Sequence, residues 1–264
     1  VIALVSHSLG RVKGLLAAIT IVLVGLQLSI IAAASSFADT GDFERLSRAV
    51  PAFVLHFIGP ALGSFRGMVL FAYVDPLVLM LLVQFAIYVA TQPAGEVESS
   101  YVDLILARPL PRHSIVSRSL LVVIVSTLVI SGAMFAATWA GLWWLAPAGA
   151  EWPAPLTTFS MNAHMTLIAW CFGCIALAAS GWARRRSTAL GAIAVTSVVA
   201  YLVELLEAIW KPATYLARFS PFHYFPETRI MAGTADTPQD LAVLGTIILA
   251  AVIVAYWRFE QRDL

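Results

Sequence analysis

Residues 76–94 read PLVLMLLVQFAIYVATQPA. The run carries no charge, and Gln84 is its only polar residue before Thr91. Crossing the hydrocarbon layer of a bilayer takes about 20 mostly apolar residues. Asp75 directly ahead of Pro76 is an N-cap followed by a proline at the first helical position, which gives the helix a defined start. The rest of the chain has the same character. Of 264 residues, 60% are hydrophobic and 12% charged, with a mean hydropathy of +0.87. Soluble domains average about 45–50% apolar and about 25% charged. One core of this size could not hide so much apolar surface, so the expected class is an all-α polytopic membrane protein. A net charge of +1 implies no attraction to nucleic acid.

Working outward, five more runs are long and apolar enough to cross: 15–34, 115–145, 162–182, 188–210 and 241–257. That makes about six transmembrane helices in one membrane domain, 1–264, with no repeat and no linker. Residues 1–14, with Arg11 and Lys13, read as an N-terminal interfacial helix. Residues 51–73 are apolar but contain Gly59-Pro60, Gly63 and Arg66. Irregular backbone cannot face lipid, so the reading there is an outer re-entrant segment packed on protein. A seventh span competes with it. With both termini in the cytoplasm, inner segments hold ten Lys and Arg against six in outer ones. Arg184-Arg185-Arg186 in one short turn is the clearest inside mark. No cleavable signal peptide is expected.

Several chemistries are poorly served. The chain has no G-x-x-x-x-G-K-[ST] phosphate loop, no G-x-S-x-G elbow and no H-E-x-x-H. Ser180-Gly181 could hint at an intramembrane protease, but spans five and six offer no histidine as base. Cys171-x-x-Cys174 could bind a soft metal, yet Met161 is thirteen residues from Cys174, roughly 20 Å along a helix. Small packing residues are the simpler account. No metal site and no catalytic residue are expected. His7, His56, His113 and His223 read as isolated and interfacial.

Ionisable groups inside spans are costly and often functional. Glu204 and Glu207 lie one turn apart near the outer end of span five, with Lys211 four residues on. They read either as a polar lining of a pathway or as a solvated, self-paired helix end. Gln84 reads as an interhelical hydrogen-bonding group.

The inner loop after span two is GEVESSYVDLILARPLPRHSIV, residues 95–116. Val97, Tyr101, Leu104 and Ile105 recur at helical spacing and form one apolar face. Glu96 and Glu98 suit the first turn and Arg108 the last, and Pro109 stops the helix. A lipid-binding helix would be rich in Lys and Arg. This one begins acidic, so its face fits a protein groove better than a membrane surface.

Gly95-Glu96-x-Glu98-x-x-x-x-Asp103-Leu104-x-Leu106-x-Arg108-Pro109-Leu110-x-Arg112-x-x-Ile115 resembles the G-E-[RKH]-E-x-G-T-L-[DE]-L-L-L-[AS]-[RY]-P-[VIL]-[ST]-R-x-x-[IL] signature of the ABC type 2 permeases. Phe219–Tyr224, FSPFHY, resembles that family's L-S-P-F-x-Y stretch, and Trp257–Leu264, WRFEQRDL, its R-F-x-R-R-D-[LI] terminus. Tyr73-x-Asp75-Pro76-Leu77 resembles the start of its second helix. Ser99–Val102 departs from the usual x-G-T-L.

The resemblance implies a permease subunit, of exporter type, in a bacterial plasma or inner membrane. Two copies of a separate cytoplasmic ATPase would hold ATP and Mg²⁺, and a second permease subunit would complete a homodimer. No cofactor would sit in this chain. Residues 95–109 would be the coupling helix, with Glu96, Glu98, Tyr101, Asp103, Leu104 and Arg108 at the ATPase, joined by Arg11 and Lys13. Residues 211–240 would be the extracytoplasmic gate, with Phe222 and Tyr224 at its rim. Gln84, Glu204 and Glu207 would line the substrate path. Two alternatives stay open: a subunit transmitting force to an extracytoplasmic partner, and an ion-coupled secondary transporter.

Overall fold

A computed structural model of the chain describes residues 2–40, 63–98, 113–207, 209–234 and 237–261. Every regular element among them is helical: α1 (Ile2–Thr40), α2 (Phe65–Phe71), α3 (Pro76–Ala90), α4 (Gln92–Glu98), α5 (His113–Leu145), α6 (Pro155–Ser180), α7 (Arg186–Glu207), α8 (Thr214–Ala217), α9 (Glu227–Met231) and α10 (Thr237–Glu260). Six stretches are long and apolar enough to span a membrane: α1, α2 through α4 as one broken run, α5, α6, α7 and α10. The chain is a multi-pass helical membrane protein. Tyr101, Asp103, Leu104 and Arg108, expected on the surface helix 95–109, lie outside the described residues, as do residues 51–62 of the expected re-entrant segment.

Local chemistry sets the helix ends. Asp75 Oδ1 accepts from the Leu77 and Val78 amides at 2.9 and 3.3 Å, with Pro76 behind it. The N-cap read from the sequence is therefore present. Ser64 Oγ does the same for α2, accepting from Gly67 N at 3.1 Å. A proline opens α6 as well. α1 runs without a break from Ile2, so residues 2–14 of the expected interfacial helix and the expected first span form one continuous helix. Gly10 and Gly14 each cost about 1 kcal/mol of helix propensity but neither breaks the backbone ladder.

α6 is the most enclosed of the six crossings, and α1, α7 and α10 are the least. α3, α5 and α10 pack around α6, and α1 lies along α5. Small residues allow the close approach. A Cβ on Gly173 of α6 would stand 3.0 Å from Val123 Cγ1 and 3.4 Å from Ala86 Cβ, as expected where packing rather than water drives association. Hydrogen bonds stitch the layers: Tyr73 with Thr138 at 2.7 Å, Gln84 Nε2 to Ser197 Oγ at 2.8 Å, and Trp170 Nε1 to Thr127 Oγ1 at 2.6 Å. Each such bond averages about 0.6 kcal/mol inside a membrane, so they set register more than stability. Cys171 and Cys174 are buried and unbonded to each other. Cys171 Sγ lies 3.5 Å from the Leu244 carbonyl as a weak donor.

The six crossings alternate, so Ile2, Glu98, His113, Ser180, Arg186 and Glu260 gather at one end, the base. The upper end carries the segment between α7 and α10, folded into two 3₁₀ turns, Lys211–Ala213 and Pro221–Tyr224, with α8 and α9. Gly233 closes α9 with φ +71°, the left-handed geometry that glycine adopts without penalty.

Candidate functional site

Two charged sites stand at opposite ends of the bundle. At the base, α4 brings Glu96 into a buried position between α1 and α5. Buried Arg118 of α5 donates from Nη2 to Glu96 Oε2. Arg11 of α1 approaches Glu96 Oε1 at 3.5 Å and is partly exposed. Glu98 Oε2 accepts the Arg186 backbone N–H at 3.0 Å. A carboxylate thus meets the positive N-terminal end of α7. The Arg186 side chain turns back, donating from Nη2 to the Tyr88 carbonyl at 3.0 Å with its guanidinium 4.4 Å from the Tyr88 ring centroid. Gly95 makes room for it, since a Cβ there would sit 2.9 Å from Arg186 Cδ. Three consecutive-turn residues therefore fasten α4 to α1, α5 and α7. Lys13 is exposed.

At the upper end a cavity of about 910 Å³ opens between α3, α7 and the segment that follows α7. Its wall is mainly apolar, with Leu79, Tyr201, Phe222 and Phe225 among the lining residues. Three carboxylates, Glu204, Glu207 and Glu227, also reach it, with Lys211. His223 Nδ1 is 3.2 Å from Glu207 Oε2 and 3.7 Å from Glu204 Oε1. Lys211 forms no ion pair with Glu207 among the described residues. α7 stops at Glu207 and Lys211 begins a 3₁₀ turn, so the four-residue helical spacing that would join them is lost. Burial pushes the Glu227 carboxyl above the usual carboxylate range, partly offset by its own backbone N–H.

The sequence candidates divide between these sites. Glu204 and Glu207 line the cavity, whereas Gln84 does not and instead bonds Ser197 of α7. Phe222 is buried between Phe172 and Tyr201, at centroid distances of 5.2 and 5.3 Å, and lines the cavity. Tyr224 stands outside it and donates to the Arg218 carbonyl at 3.0 Å. Ser180 is buried and bonds the Ala176 carbonyl of its own helix at 2.9 Å.

Arg118, Arg186, His223 and Glu227 were missed as site residues. Arg118 had a readable signal, an arginine inside the apolar run HSIVSRSLLVVIV. His223 had none, because its carboxylate partners lie 16 residues or more away in sequence. No protein-family model and no curated protein matches the chain.

Proposed function

We propose that the chain is the membrane-spanning permease subunit of an ABC exporter, with ATP hydrolysis in a separate cytoplasmic subunit and no enzymatic step of its own. The reading rests first on the Gly95–Ile115 resemblance. The base geometry supports it, because Gly95, Glu96 and Glu98 are each tied to a different neighbour. A push on the chain just after Glu98 is then felt at α1, α5 and α7 together. Rigid elements with buried ion pairs carry such a displacement better than a solvated loop. In this reading the base faces the cytoplasm, the segment 95–109 docks on the ATPase, and residues 211–240 form the outer gate above the cavity. A second permease subunit completes the dimer.

The second reading, an ion-coupled transporter, draws on the three carboxylates around one cavity. One experiment separates the two. The protein is purified from its native membranes in mild detergent, alone and as Leu104→Asp. The permease reading expects a stoichiometric ATPase carrying a G-x-x-x-x-G-K-[ST] loop, whose recovery and stimulated hydrolysis are lost in the variant. A chain that purifies without any ATPase, or a variant that stimulates hydrolysis normally, overturns it.

A further inference from the structure

We propose that Glu204, Glu207 and His223 form a binding site for a divalent transition-metal ion of the zinc type at the mouth of the upper cavity. Glu204 and Glu207 stand three residues apart on the last turn of α7, on one face. His223 arrives from the 3₁₀ turn Pro221–Tyr224. That turn is held firmly. Ser220 Oγ accepts from Phe222 N at 3.2 Å, and the Phe222 ring is clamped by Phe172 and Tyr201.

One ligand atom from each of the three residues lies within 4.8 Å of the others. Zinc binds nitrogen and carboxylate oxygen at about 2.0–2.2 Å, so tetrahedral ligand atoms stand about 3.4 Å apart. The His223 Nδ1 distances, 3.2 Å to Glu207 Oε2 and 3.7 Å to Glu204 Oε1, straddle that edge. Three protein ligands leave a fourth position open, as in exchangeable zinc sites.

The donor set argues the metal class. Carboxylates alone would suit magnesium or calcium, and thiolates copper(I) or zinc, while an imidazole with carboxylates suits zinc, cobalt or nickel. Two carboxylates balance a charge of two. An ordinary His–Glu pair does not account for the whole arrangement. It satisfies Glu207 but leaves Glu204 Oε2, which is sealed from solvent and has no hydrogen-bond donor among the described residues. A buried carboxylate oxygen without a partner is costly, and a cation between the three side chains removes that cost. It would also pin the segment after α7 to the end of that helix, at the cavity mouth.

The test uses the full chain, purified without a polyhistidine tag, reconstituted in nanodiscs and stripped with a chelator. Zn²⁺ affinity is measured by competition with a chromophoric chelator, and Co²⁺ binding by its visible spectrum. The expected result is one ion per chain and a tetrahedral cobalt spectrum. Affinity should fall at least about tenfold in His223→Ala and in Glu207→Gln and stay unchanged in the double variant Cys171→Ala/Cys174→Ala. His223→Cys keeps a ligand, and should retain binding while adding a thiolate-to-cobalt charge-transfer band, which a merely misfolded variant would not show. No stoichiometric binding, unchanged affinity in the His223 and Glu207 variants, or loss that follows the cysteines overturns the proposal. The readout needs no ATPase, so its failure leaves the permease reading untouched.

Discussion

At the base the carboxylates of α4 meet donors from three other helices, and at the upper end one oxygen of Glu204 meets none among the described residues. Glu96 shares two arginines from two helices, and Glu98 caps a third helix. Glu204, Glu207 and Glu227 gather around a cavity where His223 is the only basic side chain paired with any of them among the described residues. A buried charge with a matched partner locks geometry, because removing either member leaves the other stranded. A surplus of one sign beside open volume does the opposite and leaves room for a ligand of the other sign. The same residue type is thus a fastener at one end and a candidate contact at the other.

The contrast is broken most directly at Arg118. Arg118→Met removes the buried arginine that donates to Glu96 Oε2 and should cost about 3 kcal/mol, read by denaturant or thermal unfolding in detergent. Glu96→Gln combined with Arg118→Met should recover most of it. At the upper end Glu204→Gln, which neutralises an under-partnered acid, should not destabilise the apoprotein at all. Equal losses at both ends would dissolve the distinction. Next in size is Gly95→Val. Its side chain would displace the Arg186 side chain from Tyr88, an overpacking cost of about 1–3 kcal/mol in the same assay.

A pH series sharpens the comparison from the upper side. Burial raises the Glu227 pKa in the folded chain, so the native state holds a proton that the unfolded chain has already released. Stability should therefore fall as pH rises from the usual carboxylate range through the raised folded value. Glu227→Gln should remove that part of the fall and gain stability at neutral pH, with little change in acid. Unfolding of both proteins across pH checks the sign. The smallest effect belongs to the middle of the bundle. Gln84→Leu loses one interhelical hydrogen bond, about 0.6 kcal/mol, while Ser197 Oγ keeps its bond to the Ala194 carbonyl.

Much of this was legible in the chain. Spans three, five and six are expected close to their helices because lipid admits one backbone solution for a long apolar run, and Asp75-Pro76 announces its own cap, whereas α6 begins at Pro155, ahead of the expected start at Asn162, and the second crossing also takes in α2. The first span is expected over 15–34, and the helix that carries it is longer, Ile2–Thr40. Without a proline or a C-cap after Gly14, nothing ends the helix, and α1 takes in the first residues as well. The upper segment 211–240 was read as one unit, but its 3₁₀ turns were not foreseen, since short turns depend on what they pack against. Glu96 and Glu98 were singled out by motif, whereas their true partners include Arg118 and Arg186, which the sequence showed only as inner-loop charges.

By itself, then, the sequence determined the solvent, the helices, their number and the acidic residues worth watching. These follow from local composition and spacing, which act through the backbone and need no distant contact. Only the tertiary structure decided which charges meet. Pairing of Glu96 with Arg118, and of Glu204 and Glu207 with His223, joins residues 16 to 22 positions apart. Side-chain chemistry offers many equivalent partners over that range, and packing around α6 selects among them.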